Sequence, residues 1–416
     1  MNMLNVLKVP IQNTSIDFEY LLDAPAGKYG FIKIDKGHFY LNKKRLRFFG
    51  VNLAFNGSIP EKEAALLIAD RLAKSGINMV RLHHIDSYNR KFPGFADTFR
   101  SIIDYSDCNS QKINAENIDR LDFLFAELKK RGIYIHLDLF VRRAFLSCDD
   151  LDYSDRLDGR IKNINLYNHR LIDLQKKFIQ QYLTHKNPYT GLEYREDPAI
   201  AVMQLVNENS IFWKSAELYT PSYANELNIK WNEWLLQKYK TRKKLNEAWA
   251  NDGEQTLLDT ENPEEGTVQL QELGVWGERM IDYSNAENTQ RFYDNMEFLL
   301  ELESNFVCEM KKFITELGVK CPINVSNLPM GVADLNCINL GDVIENNSYW
   351  NHPKYVDGNE NNMLFHNQNM SSSNPMQESG KEFAENLITR LSSAKVEGKP
   401  FICTEWNACG PITLFL

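Results

Sequence analysis

The fold is decided by an apolar run that ends in a polar pair: Ala199-Ile200-Ala201-Val202-Met203-Gln204-Leu205-Val206, followed directly by Asn207-Glu208. The run lacks the apolar–polar alternation of a strand with one wet face, which is typical of a parallel strand covered on both faces. We therefore predict a buried parallel strand with Glu208 at its carboxyl end. In α/β barrels the active site lies at that end of the strands.

Strand and helix patterns alternate on both sides of this run. Apolar runs that predict strands begin near residues 48, 77, 133, 200, 321, 342 and 401. The first helix pattern begins at Pro60, ends before Gly76 and has an apolar stripe at Ala64, Leu67, Ile68 and Leu72. Such alternation predicts an α/β protein with parallel strands joined by crossover helices.

The number of strands and the length of the chain favour one large barrel. We predict a (β/α)8 TIM-type barrel that lacks its eighth β/α unit, because only residues 406–416 follow the seventh run and a parallel crossover needs more. The predicted domains are an N-terminal extension with a β-hairpin appendage over residues 1–46 and a barrel over 47–416. Residues 251–284 are acidic and weakly periodic, which predicts an insertion or long loop.

Composition limits the classes of partner. The chain has 416 residues with 47 lysines and arginines against 56 aspartates and glutamates, a net charge of −9, and 43% hydrophobic residues, all typical of a globular protein. The acidic balance argues against nucleic-acid and membrane-surface partners. The start of the chain has no secretory signal pattern, and its seven cysteines form no CxxC pair. We predict reduced thiols and a cytoplasmic location, and leave the oligomeric state open.

A second glutamate stands at the end of another predicted strand, in Phe401-Ile402-Cys403-Thr404-Glu405-Trp406. Because the carboxyl ends of barrel strands share one mouth, Glu208 and Glu405 can lie on either side of one substrate. Glycoside hydrolysis uses such a pair of carboxyl groups. A single glutamate at a strand end would more often be a solvated surface charge.

These stretches resemble the clan A glycoside hydrolases, the retaining barrel enzymes that include family 5 cellulases and mannanases and family 42 β-galactosidases. Asn207-Glu208 is similar to the clan's acid/base motif and Glu405 to its nucleophile. The resemblance extends over about residues 30–410. Its most specific stretches are Arg47-Phe48-Phe49-Gly50-Val51-Asn52-Leu53, Val80-Arg81-Leu82-His83-His84-Ile85-Asp86 and Gln204-Leu205-Val206-Asn207-Glu208.

The resemblance implies a retaining β-glycosidase that works by double displacement on a β-linked oligo- or polysaccharide, without a cofactor. Glu208 would be the general acid and then the base, and Glu405 the nucleophile. Arg81 and Tyr349 would bond the nucleophile, and Asn207 the sugar 2-hydroxyl. Further pocket residues would be His83, His84, Asp86, His136 and Asn52, with Trp350 and Trp406 as faces for sugar stacking. The sugar, the linkage and exo or endo action remain open.

Two other functions are compatible with the same residues. A metal-dependent hydrolase could use His83, His84, Asp86, His136 and Asp138 as ligands, although the first strand carries no HxH pair. A barrel without an eighth unit could instead bind carbohydrate without cleaving it. The presence of both glutamates argues against a pure binding protein.

Overall fold

The fold is known from a computed structural model, which describes residues 17–88, 99–152, 161–212, 220–250, 256–271, 273, 289–329, 331–350, 354–355, 363–364 and 391–408. Its strands, in chain order, are β1 Lys33–Asp35, β2 His38–Leu41, β3 Lys44–Leu46, β4 Gly50–Ala54, β5 Met79–His83, β6 Ile103–Asp104, β7 Lys112–Ile113, β8 Tyr134–Asp138, β9 Ile200–Gln204, β10 Ile323–Asn324, β11 Ile344–Glu345, β12 Ser348–Trp350, β13 Lys354–Tyr355, β14 Met363–Leu364, β15 Phe401–Ile402 and β16 Trp406–Ala408. The helices are α1 Lys62–Lys74, α2 Ala115–Lys130, α3 His169–Leu183, α4 Pro221–Tyr239, α5 Arg242–Ala248, α6 Gln290–Glu316 and α7 Val332–Ile338.

The parallel strands follow one another in space in the order of the chain. β4, β5, β8, β9 and β10 form one parallel sheet in that order. An isolated parallel bridge between Asn324 and Val343 connects β10 to the chain before β11, and β11 pairs in parallel with β15. The α/β class and all seven strand positions are therefore as the sequence predicts. β5, β8 and β9 are buried along their whole length, which is why their sequences show no alternation.

The first and the last of these parallel strands, β4 and β15, are less buried than the others. Gly50 and Asn52 on β4 are exposed, and both residues of β15 are half-buried. In the part of the chain that the structure describes, no strand pairs with the outer edge of β4. The N-terminal strands β1, β2 and β3 form a separate antiparallel sheet, where the sequence predicts hairpins. The domain boundary at residue 46 stays a prediction.

The helix α1 uses a different face from the one its sequence indicates. Its buried residues are Ala65, Ala69 and Ala73, whereas Leu67, in the predicted stripe, is 60% exposed. Alanine has a short side chain, so this face lets the helix lie close to the sheet. The predicted face was therefore right in part: Ile68 and Leu72 are half-buried and pack against the core, but the most buried face is centred one position away.

The middle of the chain carries extra helices around an aromatic cluster. Trp231 of α4 stacks on Trp234 and Trp249, and Arg291 of α6 pairs with Glu261 from the segment predicted to be an insertion. That segment contains a single 3-10 turn, Pro263–Glu265, within its described residues. The sequence also predicts a helix near residues 383–395, most of which lies outside the described residues.

Two cysteines form a disulfide, which the sequence did not predict. Cys108, between the short strands β6 and β7, is joined to Cys148 in the loop that follows β8. The prediction of reduced thiols was wrong here, because a spacing of 40 residues without a motif gives no sign of pairing. The cytoplasmic location stays a prediction, and this disulfide removes the cysteine argument for it. No described helix has the length and apolar character needed to cross a bilayer.

Candidate active site

The two glutamates singled out in the sequence lie at the carboxyl ends of β9 and β15. One side chain connects them: the Asn347 Nδ2 atom donates to Glu208 Oε1 at 3.0 Å, and its Oδ1 accepts from the Thr404 hydroxyl at 2.9 Å. Thr404 is the residue before Glu405. Both carboxylates therefore belong to one polar cluster at the barrel mouth, although each is carried by a different strand.

Arg81, on β5, is the centre of this cluster and is 2% exposed. Its Nη1 donates to Glu405 Oε1 at 2.7 Å, and its Nε to Asp138 Oδ1 at 3.0 Å. Its Nη2 donates to Gln204 Oε1 and Asn207 Oδ1, both at 2.7 Å. Burial alone would lower the pKa of Arg81, but the charges of Asp138 and Glu405 outweigh it and raise that pKa. The guanidinium thus stays charged and orients both Glu405 and Asn207.

The backbone at Glu208 is held by amide side chains. Glu208 has φ +45°, a left-handed conformation that residues other than glycine rarely adopt. Its N–H donates to Asn327 Oδ1 at 2.9 Å, and Asn327 Nδ2 donates to Asn207 Oδ1 at 2.9 Å. Such a conformation persists where the surroundings fix it, and it turns the Glu208 side chain away from the strand direction.

A buried acid supports the next two residues of the same loop. Glu303 on α6 is 1% exposed, and its Oε2 accepts from Ser210 Oγ at 3.1 Å and from the Ile211 N–H at 2.9 Å. Burial, together with the nearby negative charge of Asp334, raises the pKa of Glu303 well above its ordinary value. Through its bonds to Ser210 and Ile211 this carboxyl group fixes the loop behind Glu208.

The histidines of β5 and β8 lie in the interior of the barrel. His83 Nδ1 lies 2.5 Å from Asp138 Oδ2, and its Nε2 lies 3.8 Å from Glu405 Oε1, so only the first contact is a hydrogen bond. His136 is fully buried and pairs with Glu345 on β11, with Nε2 2.7 Å from Oε1. Burial would lower the pKa of His136, but the charges of Glu345 and Asp138 and their hydrogen bonds to the ring together outweigh it and raise the pKa to about 9.

The residues beyond β5 form a loop structure. His84 stacks on Phe55 and contacts the Ser87 hydroxyl at 2.8 Å, and burial lowers its pKa well below the ordinary value. The Asp86 carboxylate is 1% exposed and accepts from the backbone N–H groups of Val141 and Arg142 at 2.8 and 3.2 Å. Asp86 thus fixes the loop after β8.

The remaining predicted site residues lie at the rim or outside the described residues. Asn52 donates from Nδ2 to the Thr404 carbonyl at 2.9 Å, which joins β4 to the segment carrying Glu405. Trp406 is 68% exposed, which leaves its indole accessible beside Glu405. Tyr349 and Trp350 lie on β12, which pairs in parallel with β16, but their side chains fall outside the described part of the chain. The catalytic and binding roles of all these residues stay predictions.

Sequence reasoning missed several members of the cluster. Gln204, Asn327, Asn347 and Glu345 are each buried; Gln204 lies inside an apolar run, and the other three end or follow one. The polar residues after the fifth and sixth runs, Ser326-Asn327 and Asn346-Asn347, were the available signal. Lys162 was also missed: burial lowers the pKa of its amine, and the negative charges of Glu208 and Glu405 oppose that effect.

The histidines and acids that a metal-dependent hydrolase would use as ligands do not form a metal site in the described part of the chain. Within the described ranges, no group of three or more His, Cys, Asp or Glu side chains is arranged to hold a metal ion. Asp138 instead bonds Arg81 and His83, and Asp86 bonds backbone amides.

Sequence comparison adds one family match. A family model described as Beta-galactosidase, glycoside hydrolase 42, matches residues 157–413, which is more than half of the chain and contains Glu208 and Glu405. No curated protein sequence matches the chain.

Several solved structures are similar in shape. The β-galactosidase of Bacillus circulans sp. alkalophilus has 14% identity and a TM-score of 0.46, with 75% of this chain and 41% of that one covered. The β-galactosidase of the haloarchaeon Halorubrum lacusprofundi has 13% identity and a TM-score of 0.44, with 74% of this chain and 40% of that one covered. The endo-1,4-β-mannanase of Rhizomucor miehei has 18% identity and a TM-score of 0.34, with 48% of this chain and 56% of that one covered. The chain thus spans about half the length of the mannanase and less of the two β-galactosidases.

Proposed function

Because the chain belongs to the glycoside hydrolase family 42 β-galactosidases, a family of clan A, we propose that it is a retaining β-glycoside hydrolase. Its substrate would be a β-linked oligo- or polysaccharide, with β-galactosides the first to test. The observation that carries the proposal is that Glu208 and Glu405 join one buried polar cluster through Asn347 and Thr404. Arg81 supports it by bonding both Glu405 and Asn207.

In the first step Glu208 gives its proton to the glycosidic oxygen while a carboxylate oxygen of Glu405 bonds to the anomeric carbon. The bond between that carbon and the glycosidic oxygen breaks, the alcohol leaves, and a glycosyl ester of Glu405 remains. Arg81 orients Glu405, because it is a charged donor fixed by Asp138. Asn207 would bond the 2-hydroxyl, an interaction that strengthens in the transition state.

In the second step the Glu208 carboxylate takes a proton from water, and the water oxygen attacks the anomeric carbon. The ester bond to Glu405 breaks, and the sugar leaves with its original anomeric configuration after two inversions. Nucleophilic attack by Glu405 requires the two carboxyl groups to lie about 5 Å apart, whereas an inverting pair would lie roughly 6.5–9.5 Å apart. This separation stays a prediction.

The carbohydrate partner would meet an exposed aromatic face at Trp406, next to Glu405. Flat rings beside a catalytic carboxylate suit the apolar face of a sugar. Beside it, the exposed edge of β4 is where a further strand of a barrel would pair. Asn52 closes the mouth on this side through its bond to the Thr404 carbonyl.

The test is hydrolysis of nitrophenyl β-galactoside, β-glucoside and β-mannoside, with the anomer of the first product identified by NMR. Glu405→Gln should abolish turnover, and a 2-fluoro sugar should label Glu405 in the native protein. Glu208→Ala should slow substrates with poor leaving groups most and should recover rate with azide. Glu397→Gln, at an exposed position, is the matched control. No turnover of any glycoside by the native protein, or an inverted first product, would contradict the proposal.

A further inference from the structure

A ring of hydrogen bonds begins and ends at Glu208. The Glu208 N–H donates to Asn327 Oδ1 at 2.9 Å, and Asn327 Nδ2 donates to Thr404 Oγ1 at 3.4 Å. The Thr404 hydroxyl donates to Asn347 Oδ1 at 2.9 Å, and Asn347 Nδ2 donates to Glu208 Oε1 at 3.0 Å. The ring thus joins the backbone and the carboxyl group of one residue through three other strand ends, those of β10, β15 and β11.

The direction of every bond in the ring is fixed at its start. A backbone N–H can only donate, so the side-chain oxygen of Asn327 must face Glu208 and its NH2 group must face the other way. The Thr404 oxygen accepts from that NH2 group, and the Thr404 hydroxyl donates its own proton to Asn347 Oδ1. The carbonyl oxygen of Asn347 therefore points to Thr404, and its NH2 group points to Glu208.

We infer that Asn347 is a positioning residue that keeps the catalytic proton of Glu208 on Oε2. It also links the Glu208 carboxyl group to the strand end that carries Glu405. The inference rests on the proposed function. Oε1 accepts the Asn347 N–H in both charge states, so the proton of the neutral acid sits on Oε2. Oε2 is then the atom that gives the proton to the leaving oxygen and later takes one from water.

The same segment also holds the nucleophile. Ser348, the next residue, donates its backbone N–H to the Glu405 carbonyl at 2.9 Å, and Asn347 is 1% exposed. One buried turn after β11 therefore sets the position of both catalytic carboxylates. A hydrogen bond from a neutral donor is stronger to a carboxylate than to a carboxylic acid, so loss of the Asn347 amide is a change to which the Glu208 carboxyl group should respond.

The test follows the ionisation of Glu208 directly, by carboxyl 13C NMR on protein labelled at glutamate, with Glu208→Gln to assign the signal. Asn347→Ala should raise the midpoint of this titration by about 0.5–1 pH unit, because a donor to the charged form is lost. Asn347→Asp should raise it further, because it adds a negative charge. Thr404→Val, which only releases the Asn347 amide, should give a smaller rise and serves if Asn347→Ala does not fold.

The control is Asn187→Ala, which removes another buried asparagine amide that is not part of the ring; it should leave the midpoint of the Glu208 titration unchanged. An unchanged midpoint in both Asn347 variants and in Thr404→Val would overturn the inference. In an active protein the alkaline limb of the pH–rate profile should move up with the midpoint. A shifted midpoint in a protein that cleaves no glycoside would reject the proposed function and leave the positioning role standing.

Discussion

Arg81 Nη1 lies 2.7 Å from Glu405 Oε1, although the two residues are 324 positions apart in the chain. The contact requires β5 and β15 to present their carboxyl ends to the same mouth. The same guanidinium also bonds Asp138 and Asn207, so it holds one catalytic carboxylate and the residue before the other. Arg81 therefore couples the geometry of the site to the packing of the barrel interior.

Replacing Arg81 by lysine should lower kcat/KM at least about 100-fold, because a single ammonium cannot bond four acceptors in fixed directions. The measurement is aryl β-glycoside hydrolysis, with circular dichroism to establish that the variant is folded. Arg71→Lys, at an exposed position of α1, is the matched control and should retain full activity. A folded Arg81→Lys variant within about threefold of the native rate would contradict the role given to this guanidinium.

The Glu303 carboxyl group should behave as a neutral hydrogen-bond acceptor. Glu303→Gln keeps an oxygen for the Ser210 hydroxyl and the Ile211 N–H, whereas Glu303→Leu leaves both unsatisfied at a cost of about 1–3 kcal/mol. We expect Glu303→Leu to lower kcat about tenfold with little change in KM, because the loop behind Glu208 loosens, and Glu303→Gln to remain close to native.

The pH dependence of unfolding gives a second readout for Glu303. Its pKa is raised in the folded state, so the folded protein binds this proton more tightly than the unfolded chain does. Stability from this group is fully present below its ordinary pKa and decreases as the pH rises. Urea unfolding should show Glu303→Gln gaining stability relative to the native protein between pH 4 and pH 7. A constant difference would mean that the pKa of Glu303 is not raised in the folded state.

The buried pair of His136 and Glu345 predicts a loss of stability in alkali. With a folded pKa of about 9 against an ordinary value of about 6.5, His136 contributes on the order of 3 kcal/mol below pH 6.5. This contribution decreases as the pH rises through 9. The measurement is urea unfolding of the native protein and of the neutral pair His136→Gln with Glu345→Gln, at pH 6 and pH 10. A difference between the two proteins that is the same at both pH values would show that His136 is not protonated in the folded state.

The disulfide between Cys108 and Cys148 should stabilise the loops that follow β5 and β8. A closure across 40 residues corresponds to roughly 4 kcal/mol in the chain-entropy account. We expect a reductant, or the double variant Cys108→Ser with Cys148→Ser, to lower the free energy of unfolding by up to this amount. Cys308→Ser, an exposed free thiol on α6, is the control. Equal stability with and without reductant would rule out the crosslink in solution.

The sequence alone determined where the parallel strands lie along the chain, and it showed that a glutamate follows two of them. Both follow from local patterns: buried strands such as β9 are apolar throughout, and a glutamate that ends such a run is visible without knowledge of its neighbours. The extent of α1 was accessible for the same reason, since helix periodicity and end signals are local. The face of α1 was not, because Ala65 and Leu67 differ in burial only through what lies beside them.

Only the tertiary structure decided what each polar residue contacts. His136 was expected in the pocket, yet it lies inside the barrel against Glu345, 209 positions away. Asn327 and Asn347 look like ordinary loop residues until the strand ends bring them to Glu208. The disulfide likewise depends on two loops meeting. Hydrophobic periodicity is a property of the local sequence. Hydrogen bonds and charge pairs instead depend on distances between remote segments, and those distances are set only when the chain folds.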